Sequence, residues 1–424
     1  MAPELLESCT KLSTSAFLQN LEKETFPPSS PSNLWLNKML QSDIQYTKVR
    51  WLLTIAGLFL YVVDIWTDIG LALKYFQEKH FVWTGLTLVF VLAGLLVTQI
   101  FSYAWYKDDM NDVWINPEGR ATISGMSKGG LAALHLFGFG IFTRYYHLLK
   151  RGFRVIWTTK DPYTLEERRD AHHNLFCLAT DLSMLKLFES FLESVPQLLL
   201  QLYIALGHEE CSVMQYLSMA FSFFNIAWAL VDYRRCLRRS LPQTREMPSG
   251  LPTAIYLLYK LCTITSQILS YTLLLILSIY TTVALTILWL MATTWTHLLQ
   301  TNFCSSRGLE FLYRAVIGVI LTFTFFNVKG QDTRVAMIIY YFFYSLINTM
   351  APLLLAFLKP ELQIATFLLT VSGLIFGFSM LGLVCLVLYY LLLHPREMWR
   401  EADEVDGLGK ETEATKRIRN FLQS

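Results

Sequence analysis

Ten apolar segments separated by polar links constrain this chain of 424 residues more than any other feature. They cover about 49–76, 81–105, 127–148, 174–206, 212–233, 252–276, 281–299, 310–327, 335–358 and 363–393. A helix needs about 20 mainly apolar residues to cross a bilayer, and eight of these segments look like full spans. The composition, 54% hydrophobic and only 16% charged, is also that of a membrane protein rather than a soluble domain.

The two remaining segments, 127–148 and 310–327, are shorter, contain glycine and have charged residues on both sides. These features favour re-entrant or half-spanning helices. The order span, span, re-entrant segment, span, span occurs twice, which suggests two structural repeats. We therefore predict an all-α polytopic membrane protein with eight transmembrane helices and two re-entrant or half-spanning helices. The first membrane repeat would cover 46–240 and the second 241–394.

Basic residues show which side of the membrane each link occupies. The links near 77–80, 207–211, 277–280 and 359–362 contain only Lys79 and Lys359, whereas 106–128, 144–173 and 234–250 are rich in arginine and lysine. Cytosolic loops carry the excess of positive charge. Both termini are therefore predicted to be cytosolic, with a mostly disordered arm at 1–45 and a tail at 395–424.

One apolar segment contains charged and amide side chains. Within Thr180–Leu206, TDLSMLKLFESFLESVPQLLLQLYIAL, the polar residues include Lys186, Glu189, Glu193, Gln197 and Gln201. They are three or four residues apart, so they share one stripe of a helix. Charges inside a membrane cost several kcal/mol unless they pair or meet water. Pro196 removes a backbone hydrogen bond from the same helix and predicts a kink beside Glu193.

Other apolar segments add further charges. Asp64 and Asp68 are one helical turn apart in YVVDIWTDIG, and Asp232 lies in ALVDYRR. The candidate intramembrane charges are Asp64, Asp68, Arg144, Lys186, Glu189, Glu193 and Asp232. Three interpretations remain open: buried ion pairs that fix helix packing, a hydrophilic route for ions or lipid headgroups, and proton-coupling sites. The first two are compatible with each other. Aromatic residues near the segment ends, including Trp105, Tyr145 and Tyr146, are predicted to lie in the membrane interface.

The C-terminal tail contains a protease recognition motif. It consists of Asp403, Glu404, Val405 and Asp406, followed by the small residue Gly407. Executioner caspases cut after the last aspartate of this motif, although such a stretch can also be a solvated acidic segment. Cleavage would release Gly407–Ser424. In this segment Ala414, Ile418, Phe421 and Leu422 lie at helical spacing with basic residues between them, as in a short amphipathic helix.

The sequence shows no catalytic constellation. The seven cysteines are scattered, with no CxxC and no Cys/His cluster at metal-ligand spacing. HExxH, GxxxxGK[ST] and GxGxxG are missing from the sequence, and GxSxG occurs once, as GMSKG at 125–129. We predict that the chain is not an enzyme, has no catalytic residues, binds no metal and no cofactor, and has no nucleic-acid partner.

Several runs resemble the XK-related family of membrane proteins: residues 180–204, YVVDIWTDIG, GIFTRYY, VDYRRCLRRSLP and EFLYRAVIGVILTFTFFNVKGQDT. The match covers about 45–400 in order, and FSYAW and FTFFNVKGQ look most like one numbered member. The tail motif resembles the caspase-activated subset, whose members look like scramblases that expose phosphatidylserine on apoptotic cells. The arm of about 45 residues is extra relative to the shortest members.

The resemblance implies a lipid path, a tail that packs under the membrane domain until a caspase removes it, and a multi-pass plasma-membrane location. The charges placed on that path are Asp64, Asp68, Lys186, Glu189, Glu193 and Asp232. The implied partners are phosphatidylserine and other phospholipids, caspase-3 or caspase-7, and a single-span glycoprotein chaperone, which the sequence neither demands nor excludes. Two alternatives remain: a non-transporting scaffold for another membrane protein, and an ion-coupled transporter.

Overall fold

A computed structural model describes 46–111, 122–123, 126–157, 165–208, 213–240, 250–301, 303–304, 306–328, 334–359 and 366–393. All of these residues belong to one compact unit, Tyr46–Ser424. The predicted N-terminal arm and the tail with its caspase motif lie outside the described residues.

Helices form almost all of the described structure. In chain order they are α1 (Lys48–Gln77), α2 (Phe81–Asn111), α3 (Lys128–Leu136), α4 (Gly140–Trp157), α5 (Leu165–Glu189), α6 (Val195–His208), α7 (Val213–Ser240), α8 (Leu251–Leu277), α9 (Thr281–Leu298), α10 (Arg307–Phe323), α11 (Arg334–Leu358) and α12 (Thr366–Leu388). Two π-helical turns, Ser190–Ser194 and Tyr389–Leu393, interrupt or extend this series. A small hairpin pairs β1 (Thr122–Ile123) with β2 (Met126–Ser127) in antiparallel fashion.

The helix starts follow local capping chemistry. The hydroxyl groups of Thr47, Ser127 and Ser306 accept hydrogen bonds from backbone N–H groups in the first turns of α1, α3 and α10. Such N-caps satisfy donors that have no partner inside the helix. These polar boundary residues therefore help to set where the apolar helices begin.

Five helices of the described part are long and apolar enough to cross a membrane: α1, α2, α8, α11 and the run Leu369–Leu393. The predicted spans at 174–206, 212–233 and 281–299 are also helical, as α5–α6, α7 and α9. These three contain many charged or hydroxyl side chains. The eight-plus-two arrangement and the two repeats stay predictions, whereas the helical membrane-protein class is confirmed.

The first predicted re-entrant segment is a helical hairpin formed by α3 and α4. Gly138, with φ of +83°, makes the turn in a region that favours glycine. The Gln99 side chain on α2 holds the turn with both amide atoms: its nitrogen donates to Gly138 O, and its oxygen accepts from Gly140 N. The second predicted segment is a single helix, α10, which packs against α9.

The central helix is α8, which packs against α6, α7, α11 and α12. In the most apolar 18-residue stretch of α8, 72% of the residues are buried, compared with 11% in the corresponding stretch of α1. A polar seam joins α8 to α11: Ser266 bonds to Tyr344, while Ser270 and Gln267 both bond to the Asn348 amide. Interhelical polar contacts of this kind hold membrane helices in register.

The seam ends near a buried lysine on α8. Lys260 is 2% exposed, and its ammonium group donates to Thr324 Oγ1 and Phe325 O at 3.0 and 2.9 Å. The amine also lies 4.9 Å from the centre of the Tyr259 ring. A hydroxyl, a carbonyl and an aromatic face therefore surround this amine.

Candidate functional site

Carboxyl groups from α1 and from the α5–α6 region meet inside the helical bundle. Asp68 is 8% exposed, and its Oδ1 accepts a hydrogen bond from Gln197 Nε2 at 2.7 Å. Glu193 is 5% exposed and lies within electrostatic range of Asp68. Asp64 and Glu189 lie within electrostatic range of this pair. We call Asp64, Asp68, Glu189 and Glu193 the acidic cluster.

The amine of Lys186 lies next to the acidic cluster, within electrostatic range of Glu189 and Asp64. Its Nζ is 5.8 and 5.7 Å from the ring centres of Tyr61 and Tyr145. The two tyrosine faces offer a cation a low-cost position away from water. Tyr145 is only 2% exposed, so its predicted interfacial position is wrong: the ring is buried because it covers Lys186.

A π-helical turn places Glu193 in the cluster. Ser190–Ser194 is wound wider than an α-helix, and the Val195 N–H bonds to Ser190 O. Such turns are frequent at functional sites. Pro196 follows directly, at the start of α6. Opposite the turn, Gly94 of α2 leaves room for the carboxyl group, since a Cβ at this position would be 2.6 Å from Glu193 Oε2.

A cavity of about 560 Å³ lies beside Asp64 and Asp68 of the acidic cluster. Asp64, Asp68 and Gln197 line its inner part. It continues past Gln201 towards Lys74 at the end of α1. Gln197 is 4% exposed, and its Oε1 has no hydrogen-bond partner in the described structure. The volume is that of a small-molecule or headgroup site.

Arg144 lies in a different place. Its Nη1 is 3.0 Å from Asp181 Oδ2 and 3.8 Å from Asp109 Oδ2, and all three residues are buried. Ser102 accepts two further bonds from the guanidinium group, and the Tyr106 ring lies 3.7 Å from its Cζ. This site is a structural ion pair that links α2, α4 and α5.

Two residues at the Arg144 site differ from what the sequence indicates. Trp105 is 1% exposed, and its predicted interfacial position is wrong because the ring packs within 5.9 Å of the Arg144 Cζ. Asp109 lies in a stretch read from sequence as a polar link, although α2 extends to Asn111 and buries it. The apolar run ends near residue 105, so the sequence does not indicate that the helix continues to Asn111.

Asp232 on α7 occupies a third position. Arg50, Lys186 and Arg235 lie within electrostatic range of its carboxyl group, and the Cys236 thiol donates to its Oδ1 at 3.9 Å. Lys186 thus has acidic neighbours on both α1 and α7. Within the described ranges no group of three or more His, Cys, Asp and Glu side chains is arranged to hold a metal ion.

Known proteins resemble this chain over most of its length. A family model described as XK-related protein matches residues 52–395. XK-related protein 9 of Tetraodon nigroviridis is 64% identical over 378 residues, which cover 89% of this chain and 99% of that protein. XK-related protein 8 is 30% identical over 368 residues in T. nigroviridis and 31% over 371 in Pan troglodytes. Those matches cover 87% and 84% of this chain, and 88% and 87% of the respective relatives.

Proposed function

The chain belongs to the XK-related family of membrane proteins, and from that premise we propose that it is an ATP-independent phospholipid scramblase. The observation that carries the proposal is the cavity of about 560 Å³ lined by Asp64 and Asp68 of the acidic cluster. Moving a polar headgroup through hydrocarbon is slow because the headgroup loses its water. Carboxyl, amine and amide groups along one route lower this barrier by replacing that water.

The position of α1 supports a route that is shared between protein and lipid. Its inward face contributes Asp64 and Asp68, while Trp66 and Leu73 on other faces are 74% and 54% exposed. A headgroup beside the acidic cluster would therefore have its acyl chains within reach of the surrounding lipid. The absence of a nucleotide motif from the sequence fits transport down the lipid gradient only.

The tail provides the proposed control. Intact, the segment after Asp406 holds the closed state from the cytosolic side of the plasma membrane. Caspase-3 or caspase-7 cuts after Asp406 and shifts the equilibrium towards the open state, which exposes phosphatidylserine during apoptosis. The two alternative functions are a non-transporting scaffold and an ion-coupled transporter.

Reconstitution tests the proposal directly. Purified protein is placed in liposomes that contain a fluorescent lipid, and dithionite-accessible signal is measured before and after caspase-3 treatment. Cleavage should raise bleaching beyond the outer-leaflet half, and Asp406→Ala should remain inactive. If the cut protein leaves the inner-leaflet lipid protected, the scaffold function is favoured instead.

A second variant separates transport from packing. Glu193→Gln keeps the size of the side chain and removes its charge. For a scramblase we expect normal expression and slower bleaching by about tenfold, which corresponds to about 1.4 kcal/mol of barrier. A loss of folding with no measurable transport defect in the remaining protein would instead indicate a packing role. Gln201 lies further along the same cavity, and Gln201→Glu, which adds a charge there, is the control for the position of the charge.

A further inference from the structure

One face of α4 combines aromatic and basic side chains, which form no ion pair with a carboxylate of the described residues. Tyr146, Phe153 and Trp157 are 51%, 52% and 49% exposed. Lys150 and Arg154 are exposed between them. At about 100° per residue these five positions fall within an arc of about 100°. We call this surface the basic–aromatic face.

Lys48 of α1 extends the basic–aromatic face. Its Nζ lies 4.6 Å from the centre of the Trp157 ring, and Lys150 Nζ lies 5.2 Å from that of Tyr146. Trp51 fixes the α1–α4 joint, because its indole N–H donates to Leu149 O at 3.0 Å and its ring packs against Gly152. The three cations therefore occupy one rigid surface rather than separate mobile segments.

The charge on this face is unbalanced. The sequence of α4, GIFTRYYHLLKRGFRVIW, contains no aspartate or glutamate. Arg144 points inward to Asp181, but Lys48, Lys150 and Arg154 form no ion pair with any carboxylate in the described part of the chain. An exposed surface of lysine, arginine and large aromatic rings is complementary to anionic lipid headgroups.

The position of the basic–aromatic face along the membrane normal also matches that of the lipid headgroups. Leu136 and Phe137 at the tip of the α3–α4 hairpin are 85% and 75% exposed, as expected for side chains in hydrocarbon. Lys150 lies ten residues after Gly140, which is about 15 Å along a helix. Half of the hydrocarbon core is also about 15 Å thick. With its tip near the midplane, the hairpin brings Lys150 and Arg154 to the interface.

We propose that the basic–aromatic face is a docking surface for anionic phospholipids of the cytosolic leaflet. The phosphodiester and carboxylate groups of phosphatidylserine meet Lys48, Lys150 and Arg154, while Trp157 and Phe153 insert among the upper acyl carbons. The surface is separate from the acidic cluster, so it serves lipid selection or anchoring whether or not the chain scrambles lipids.

Spin-labelled lipids test this surface without an activity assay. The full-length protein is reconstituted in phosphatidylcholine bilayers with trace spin-labelled phosphatidylserine or phosphatidylcholine, and the motionally restricted fraction of each is measured. We expect a severalfold preference for phosphatidylserine. In Lys48→Gln/Lys150→Gln/Arg154→Gln the ratio should approach one, and salt should weaken the preference of the unmodified protein.

A charge-matched control removes three exposed lysines elsewhere: Lys79→Gln, Lys107→Gln and Lys128→Gln. It should keep the preference. The proposal is overturned if the unmodified protein shows no preference, if salt leaves the preference unchanged, or if the control loses as much as the test variant. A change in oligomer mass confined to the test variant, without a change in lipid preference, would assign the face to a protein contact instead.

Discussion

Arg144 shows at the scale of one residue how this bundle holds a charge in its interior. Its guanidinium group meets two carboxylates, one hydroxyl, one carbonyl and one aromatic face. A buried ion pair is costly to form but still costlier to break, because the remaining partner is left unpaired. Arg144 therefore contributes more to the integrity of the fold than its single positive charge indicates.

We predict that Arg144→Met destabilises the protein by about 3–5 kcal/mol, because Asp181 and Asp109 then lose their shared cation. Thermal unfolding of detergent-purified protein, followed by size-exclusion chromatography, measures the change. Arg144→Met combined with Asp181→Asn should recover part of the loss. If the double variant is no more stable than the single one, the pairing energy has been misassigned.

Spacing along the sequence predicts the residue stripe of α5–α6 but not its final geometry. Lys186 and Glu189 are three residues apart on α5, as the spacing predicts, but the π-helical turn changes the helical register before Gln197. Gly94 and Tyr61 have no distinctive local signal, because a glycine or a tyrosine in an apolar run has many roles. Their neighbours, Glu193 in the π-helical turn and Lys186 on α5, are distant in sequence, and no local pattern specifies these contacts.

At the scale of elements, a single glycine allows two helices to pack closely. Gly382 on α12 faces α8, where an added Cβ would be 2.8 Å from Thr263 Cγ2 and 3.3 Å from Thr263 N. Gly377 on the same helix has no atom within 4 Å of such a Cβ. One glycine therefore sets the distance between two helices, while the other faces open space.

We expect Gly382→Ala to destabilise the bundle by about 1–3 kcal/mol, since α12 must move away from the α8 backbone. Gly377→Ala is the matched control and should leave the unfolding temperature almost unchanged. Both are measured by thermal unfolding in the same detergent. Equal effects of the two substitutions would contradict the close α8–α12 approach.

At the scale of the whole molecule, sequence predicts the helices better than their arrangement. Apolar runs give α1, α8 and α11 to within about two residues, because hydrocarbon demands continuous internal hydrogen bonding. The seam between α8 and α11 is missed, since a few polar side chains leave the average hydropathy of each helix high and do not indicate which helix they face. The likeness of FSYAW and FTFFNVKGQ to the ninth numbered family member is confirmed by the 64% identity to XK-related protein 9.

The orientation in the membrane is testable residue by residue. In a cysteine-free background, single cysteines at Lys79 and Lys359 should react with a membrane-impermeant maleimide added to intact cells. Cysteines at Lys107 and Arg238 should react only after permeabilisation, because the positive-inside rule places those links in the cytosol. Reaction of Lys107→Cys in intact cells would overturn the assigned topology.

The burial of α8 has a consequence for biosynthesis. An isolated α8 would expose the side chains of Lys260, Gln267 and Ser270 to lipid, where each unpaired polar group costs several kcal/mol. Its neighbours α6 and α7 precede it in the chain, whereas α11 and α12 follow. The translocon therefore has to retain α8 beside the earlier helices until the last two emerge. Ribosomes that stop before α11 should leave a nascent chain that the quality-control machinery of the membrane recognises as incomplete.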